Sequence, residues 1–192
     1  MASMPLVEAL QVVHGLRTTE VVVTTMGSAR EWPKFSSHPL DFHYIPSAMG
    51  HAPMLALGMA LAQPAKEVIA FNGDGCMLMS LGCLVTVVAS GAKNYTLIVL
   101  NNSRYEVTGG QQTAAAGLPV DFSSVAGNCG FPSVFRFSDL PTWQTSAATA
   151  LQAPGPRFIE LITSPVADPL LTSPGPFPAR LTAFSEALQA AT

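Results

Sequence analysis

The stretch Glu67-Val-Ile-Ala-Phe-Asn-Gly-Asp-Gly-Cys76, an apolar run to Ser90, and then Tyr95-Thr-Leu-Ile-Val-Leu-Asn-Asn102 set the fold. Each outer segment is a continuous apolar run that stops at turn residues, the pattern of a strand buried on both faces. The segment between them is apolar throughout and is closed by Gly91, which predicts one long helix ending near Ser90. A strand, a helix and a strand of this kind form a right-handed crossover, so the two strands lie parallel and both end at one edge of the sheet. Upstream, Glu20-Val-Val-Val-Thr-Thr25 reads as another buried strand running into a turn at Gly27 and Ser28. Leu6, Leu10, Val13 and Leu16 place a helix over 4–16, residues 30–46 read as irregular, and 48–63 read as an apolar helix closed by Pro64. Downstream, the region beyond Thr108 is loop-like. Helices are expected over 122–129 and 141–151, and strands over 133–137 and 157–162. A Pro-rich stretch over 165–178 leads to a terminal helix through Leu188. Alternating strands and helices predict the α/β class, a three-layer α/β/α arrangement with a mostly parallel central sheet, as a single domain over 1–192.

Composition narrows the function. Only 11% of the 192 residues are charged, against roughly 25% in an ordinary soluble domain, and the net charge is −3. Nine basic residues without a cluster leave no electrostatic footprint for nucleic acid. A surface so poor in charge points to cover by another protein or, alternatively, simply to an Ala-rich chain. The three cysteines, Cys76, Cys83 and Cys129, show no CxxC spacing and read as reduced and buried. The first residues show no basic region followed by an apolar stretch, so a cytoplasmic chain is expected. Residues 75–92 are uncharged and reach the lower length for a membrane span, but Ser80, Gly82, Thr86, Ser90 and Gly91 interrupt them, so a buried helix and no membrane contact are expected.

Chemistry enters at the strand ends, where open parallel sheets bind ligands. Gly73-Asp74-Gly75 sets a carboxylate between two glycines at a helix start, where free N–H groups attract a phosphate. Asp74 itself repels a phosphate unless a cation lies between them, and Mg²⁺ resolves that conflict, being held by one or two protein oxygens together with phosphate oxygens. Asn102, at the next strand end, supplies a second oxygen donor.

These two turns resemble the diphosphate-and-magnesium motif of thiamine diphosphate enzymes. The longer stretches Ser47-Ala-Met-Gly-His51, Leu55-Ala-Leu-Gly-Met-Ala-Leu-Ala62 and Asn101-Asn-Ser-Arg-Tyr-Glu-Val-Thr-Gly-Gly-Gln111 resemble the phosphonopyruvate and sulfopyruvate decarboxylases, over roughly residues 20–165. In sulfopyruvate decarboxylase the cofactor-binding half can be a separate β chain. The resemblance implies thiamine diphosphate and Mg²⁺ as cofactors. It assigns the metal to Asp74, Asn102 and the carbonyl of Arg104, and the diphosphate to Thr25, Gly27, Gly73, Gly75 and Cys76. Met49, before Gly50, matches the apolar wedge that bends the cofactor, with the Ser47 carbonyl accepting from its pyrimidine amino group. Cys76 and Arg104 depart from the small residues usual at their positions. The Arg104 guanidinium is free to meet an anionic substrate or a partner, or to lie plainly on the surface.

The family's activating glutamate sits on a separate pyrimidine-binding domain. None of the seven glutamates, Glu8, Glu20, Glu31, Glu67, Glu106, Glu160 and Glu186, lies in a second α/β unit. The resemblance therefore implies a half-site completed by a separate pyrimidine-binding α chain, acting on a small anionic 2-oxo acid. His51 and Glu106 are the candidates for proton transfer; the alternatives are helix-start packing for His51 and an exposed loop carboxylate for Glu106. His38 and His43 read as loop or interface residues, and His14 as structural. Three readings compete: a β subunit of a 2-oxo acid decarboxylase, an acetohydroxyacid synthase-like carboligase, and a non-catalytic cofactor-binding regulatory subunit. A ferredoxin-linked oxidoreductase chain is disfavoured by the cysteine count.

Overall fold

The computed structural model describes residues 3–166 and 175–190. In chain order the elements are β1 (Met4–Pro5), α1 (Leu6–Leu16), β2 (Val21–Thr24), α2 (Met26–Glu31), β3 (Asp41–His43), α3 (Ala52–Ala62), β4 (Val68–Gly73), α4 (Asp74–Met79) and α5 (Cys83–Ser90). There follow β5 (Tyr95–Asn101), β6 (Arg104–Tyr105), β7 (Gln111–Gln112), α6 (Phe122–Asn128), β8 (Ser133–Phe137), α7 (Leu140–Gln152), β9 (Arg157–Ser164) and α8 (Phe177–Ala190). Seven strands make one sheet in the order β3–β2–β4–β5–β9. The outer side of β9 is shared, with β8 alongside Arg157–Leu161 and β1 continuing alongside Thr163 and Ser164. Every pairing within it is parallel.

Because side chains alternate across a strand, each central strand feeds two cores. Val21, Val23, Val68, Ala70, Leu97 and Val99 face α3, α5, α6 and α8. Val22, Ile69, Phe71, Ile98, Leu100 and Ile159 face α1, α7 and the buried Trp32. Burial on both sides is why these strands carry continuous rather than alternating apolar runs. Trp143 of α7 satisfies its indole N–H on the Ala9 carbonyl of α1 (3.0 Å), which ties the two helices of the second layer. The three-layer α/β/α arrangement with a parallel sheet is thus as expected.

Four local expectations change. Residues 30–46 are only partly irregular: α2 occupies the expected turn after Thr25 and ends at Glu31, a 3-10 turn follows at Trp32–Lys34, and β3 forms the sheet edge, with irregular chain between and after them. The Ser28 hydroxyl closes the start of α2, accepting from the Thr25 N–H (3.1 Å) and donating to its carbonyl (2.7 Å). Arg30 and Glu31 are buried in this helix, so its inward face carries an ion pair where an apolar periodicity would have announced it. The long helix over 75–90 is broken into α4 and α5, because the Gly50 backbone crosses at the break: a Cβ there would lie 3.1 Å from the Cys76 carbonyl oxygen and from Ser80 Oγ. The loop-like region after Asn102 contains an antiparallel hairpin, β6–β7. Met4 and Pro5 belong to a strand rather than to the first helix. Part of the Pro-rich stretch, 167–174, lies outside the described residues; the terminal helix is α8.

Among the described residues no helix is long and apolar enough to cross a membrane. Residues 52–65 and 75–92 carry no charge. Met54 and Leu61 of α3, Met79, Leu81 and Val85 are all exposed there, leaving an apolar surface on the layer that contains α3 and α5.

Candidate functional site

A cleft opens at the carboxyl edge of the sheet. Thr25 and Gly27 line it after β2, Gly73, Asp74, Gly75 and Cys76 after β4, and Asn102, Arg104 and Glu106 after β5, with Met49 at its border. Ser47, Gly50 and His51 belong to the turn that carries Met49 but do not line the cleft. His51 is exposed at the start of α3, and Ser47 Oγ lies 3.9 Å from Met26 Sδ. Two turns at the cleft hold non-glycine residues in left-handed conformation, Met26 (φ 50°) and Ser103 (φ 59°). Such conformations are unfavourable and collect at ligand-binding turns.

Asp74 is 1% exposed. Its Oδ2 accepts a hydrogen bond from Thr113 Oγ1 at 3.0 Å, and the backbone N–H groups of Asn102 and Gly75 donate to the same carboxylate. Burial outweighs these donors and pushes the carboxyl up to about 6. A desolvated carboxylate in this state gains from a cation. Among the described residues no cluster of three or more His, Cys, Asp or Glu side chains accompanies it. Asn102, which lines the same cleft, offers an amide oxygen, a ligand type that a hard ion takes together with a carboxylate.

The neighbouring asparagines divide the work. Asn102 Oδ1 accepts from the Arg104 N–H (2.9 Å), closing the turn and keeping a lone pair for another partner. Asn101 turns away and donates to Glu160 (2.8 Å), a fully buried carboxylate that also receives Arg136 Nε (3.2 Å) and the Ser123 N–H (3.3 Å). Glu160 on β9 thereby fixes the end of β5. Two buried hydroxyls in the cleft lining, Thr25 Oγ1 and Thr163 Oγ1, have no protein partner. Unpaired polar atoms of this kind are rare in a finished core; Arg30 Nη1, Trp32 Nε1 and Asn72 Oδ1 share the condition outside the cleft lining.

Tyr105 forms part of the roof. A Cβ on Gly75 would stand 2.3 Å from Tyr105 Cε1, so the ring rests directly on the glycine in the first turn of α4. Glu106 is tied down: one carboxylate oxygen accepts from the Val166 N–H (2.7 Å) and the other lies 3.4 Å from Arg30 Nη2. Cys76 is buried, which pushes its thiol up and keeps it protonated.

The remaining histidines stand away from the cleft lining. His38 Nδ1 lies 3.1 Å from Arg17 Nη2 and accepts from the Leu40 N–H, and burial together with Arg17 lowers its pKa. His43 Nδ1 is 2.9 Å from Thr24 Oγ1, and burial lowers it too. His14 packs edge-on against Trp32 and Phe35.

Sequence reasoning missed Thr113, Thr163, Tyr105 and Arg30. No spacing signal marks Thr113; only the return of the hairpin brings it to Asp74. Thr163 was legible as the carboxyl end of the last strand, and that strand end was not weighed.

Comparison with known proteins agrees with this geometry. Residues 23–161 match the family described as thiamine pyrophosphate enzyme, C-terminal TPP binding domain. The chain is 38% identical over 149 residues to a phosphonopyruvate decarboxylase of Streptomyces viridochromogenes, covering 78% of this chain and 36% of that protein. It is 34% identical over 160 residues to a sulfopyruvate decarboxylase subunit beta of Methanothermobacter thermautotrophicus, covering 83% of this chain and 82% of that one. The chain therefore spans about a third of the phosphonopyruvate decarboxylase and most of the subunit beta. Among solved structures, a protein from Mycobacterium smegmatis assigned as a thiamin diphosphate-dependent enzyme shares the fold. The TM-score is 0.70 at 24% identity, over 86% of this chain and 32% of that one.

Proposed function

The chain belongs to the thiamine pyrophosphate enzymes, as a C-terminal cofactor-binding domain, and on that footing we propose that it is the β subunit of a 2-oxo acid decarboxylase. Its substrate is a small 2-oxo acid with an anionic tail, a sulfonate or phosphonate, and a separate pyrimidine-binding chain completes the site. The observation that carries this reading is the alignment with the sulfopyruvate decarboxylase subunit beta, which runs along most of both chains. Two further features support it. Among the described residues Glu106 is the only glutamate lining the cleft, and its carboxylate is already held by Arg30 and Val166. The exposed apolar residues Met54, Leu61 and Val85 offer a surface that a second chain would cover.

The residues present fit the cofactor. Asp74 is a buried carboxyl pushed up to about 6, which a cation would offset, and two buried hydroxyls in the lining have no protein partner. On this proposal Asp74, Asn102 and the Arg104 carbonyl hold Mg²⁺, while Thr25, Gly27, Gly73, Gly75 and Cys76 receive the diphosphate. When bound, thiamine diphosphate supplies the electron sink for loss of CO₂ from a 2-oxo acid. The chain itself binds, orients and shields. Thr113 fixes the Asp74 carboxylate, and Met49 borders the seat as its apolar wedge. Tyr105 and the hairpin behind it exclude water from above. Arg104 is the one cationic side chain lining the cleft among the described residues; its Nη1 donates to the Gly110 carbonyl (2.9 Å), and on this proposal the rest of the guanidinium meets the anionic tail.

Gly75 gives a direct test of the roof. Gly75→Ala has to push the Tyr105 ring off its seat, because 2.3 Å is far inside van der Waals contact. Calorimetric titration should show binding of thiamine diphosphate with Mg²⁺ weakened by at least about tenfold, the equivalent of one lost polar contact. The function itself is tested by isolating the chain with whatever co-purifies and following CO₂ release from sulfopyruvate, phosphonopyruvate and pyruvate. Release that needs both chains and prefers the anionic-tailed acids is expected. A cofactor-loaded chain that joins no partner and decarboxylates nothing would instead identify a binding subunit.

A further inference from the structure

Arg30 is fully buried beside the cleft yet no part of the cofactor seat. Its Nε donates to Glu31 Oε1 (2.7 Å), but Glu31 also receives Lys34 Nζ (2.7 Å) from the surface. Arg30 therefore shares Glu31 with Lys34 and has a second carboxylate in Glu106, 76 residues away, whose Oε2 stands 3.4 Å from Nη2. A buried charge is costly unless paired, so this partner is a strong constraint on the position of Glu106. Glu106 opens the 3-10 turn Glu106–Thr108 between the two hairpin strands. Its other oxygen accepts from Val166 just beyond β9. The carboxylate also lies over the first turn of the cleft, 3.3 Å from where a Cβ on Gly27 would be, so any larger residue there would make it give by a few tenths of an ångström.

The near end of the same hairpin carries Tyr105 onto Gly75 and leads to Thr113 on Asp74. We propose that Arg30 is a positioning residue: through Glu106 it clamps the 104–112 hairpin onto α2, holds the roof over the cleft and thereby sets how long a bound cofactor stays. The proposal rests on the reading that this cleft seats thiamine diphosphate, and it gives Glu106 the role of a clamp rather than of a proton carrier. The unpaired Nη1 of Arg30 leaves the guanidinium an edge that no carboxylate uses, so Glu106 is the contact whose loss frees the hairpin.

The test compares the full chain with Glu106→Gln, Arg30→Met and Arg30→Lys. One readout is amide hydrogen exchange without ligand; the other is the dissociation rate of thiamine diphosphate in the presence of Mg²⁺. Glu106→Gln and Arg30→Met should speed exchange across 104–112 by about tenfold or more, as expected for losing a charged hydrogen bond, while amides of α7 stay unchanged. Cofactor release should accelerate by a similar factor, and Arg30→Lys, which keeps the charge, should recover part of both effects. Unchanged exchange at 104–112 in Glu106→Gln, or an increase spread evenly over the sheet, overturns the clamp. A variant whose exchange rises while cofactor release stays at the wild-type rate overturns the link to retention. If Arg30→Met does not fold, Glu106→Gln decides alone. If the wild-type chain holds no thiamine diphosphate even with its partner, the cofactor reading fails, and the exchange arm still tests the clamp.

Discussion

Asp74→Asn is expected to abolish Mg²⁺-dependent binding of thiamine diphosphate and, without ligand, to make the chain more stable than wild type. The first effect follows from removing the one carboxylate in the proposed metal set. Changes to residues that merely support a metal ligand cost about 10- to 100-fold, so loss of the ligand itself should exceed about a hundredfold. The second follows from burial. The Asp74 carboxyl is held at about 6 against an ordinary 3.8, so the folded state favours the protonated form. Its contribution is fully present below pH 4 and is lost as pH rises through 6. At pH 7 the ligand-free chain carries a penalty on the order of 3 kcal/mol, from a shift of about two units at 1.36 kcal/mol each. Asparagine has no charge to desolvate, and the Thr113 hydroxyl can turn to accept from its amide. Melting in a chelator at pH 7 should show Asp74→Asn higher by up to roughly 6–12 °C, and the difference should vanish below pH 4. A variant that melts below wild type at pH 7 would show that Asp74 serves the ligand-free fold rather than opposing it.

Gly155→Ala should be the most damaging single methyl in the chain. A Cβ at Gly155 would stand 1.8 Å from the Lys93 carbonyl oxygen and 2.7 Å from its carbon. Both are backbone atoms at the entry to β5, and Gly155 itself precedes β9. No rotamer relieves such a clash, so β5 and β9 must separate at the middle of the sheet. The expected cost is more than about 4 kcal/mol, at the extreme of single substitutions, seen as insoluble expression or a collapsed urea midpoint. Gly15→Ala is the matched control, since nothing lies within 4 Å of its Cβ position on α1. There the same methyl should stabilise by up to about 1 kcal/mol through helix propensity. Equal behaviour of the two variants would refute the packing at Gly155.

The sequence was most legible where burial is uniform. The strands around Ile69, Ile98 and Ile159 stand out because both faces are covered, so apolar residues run on without alternation, broken only by a few buried polar positions such as Asn72, Thr96 and Glu160. Asp74 and Asn102 were legible for a related reason: each is a polar interruption where such a run ends. It was least legible where polar groups are buried or where distant segments meet. Arg30 and Glu31 look like surface residues in sequence and are 1% and 2% exposed. The break between α4 and α5 depends on the Gly50 backbone crossing there, a contact between segments about thirty residues apart. The edge strand β3 has only Phe42 buried, too little for any period to show. Thr113 reaches Asp74 across 39 residues through a hairpin whose strands are two residues each.

The pairing of Met4 with Thr163 and of Pro5 with Ser164 governs how the chain is born. A ribosome adding roughly 5–20 residues per second releases β1 and α1 some 8 to 30 seconds before β9 exists to receive them. Until then the apolar side of α1 has neither its strand nor Trp143, whose indole bonds to Ala9 across 134 positions. Contacts so distant along the chain slow folding and leave sticky intermediates exposed. Slowing translation after residue 16 should lower the soluble yield, while supplying residues 3–16 as a free peptide should rescue a chain synthesised without them.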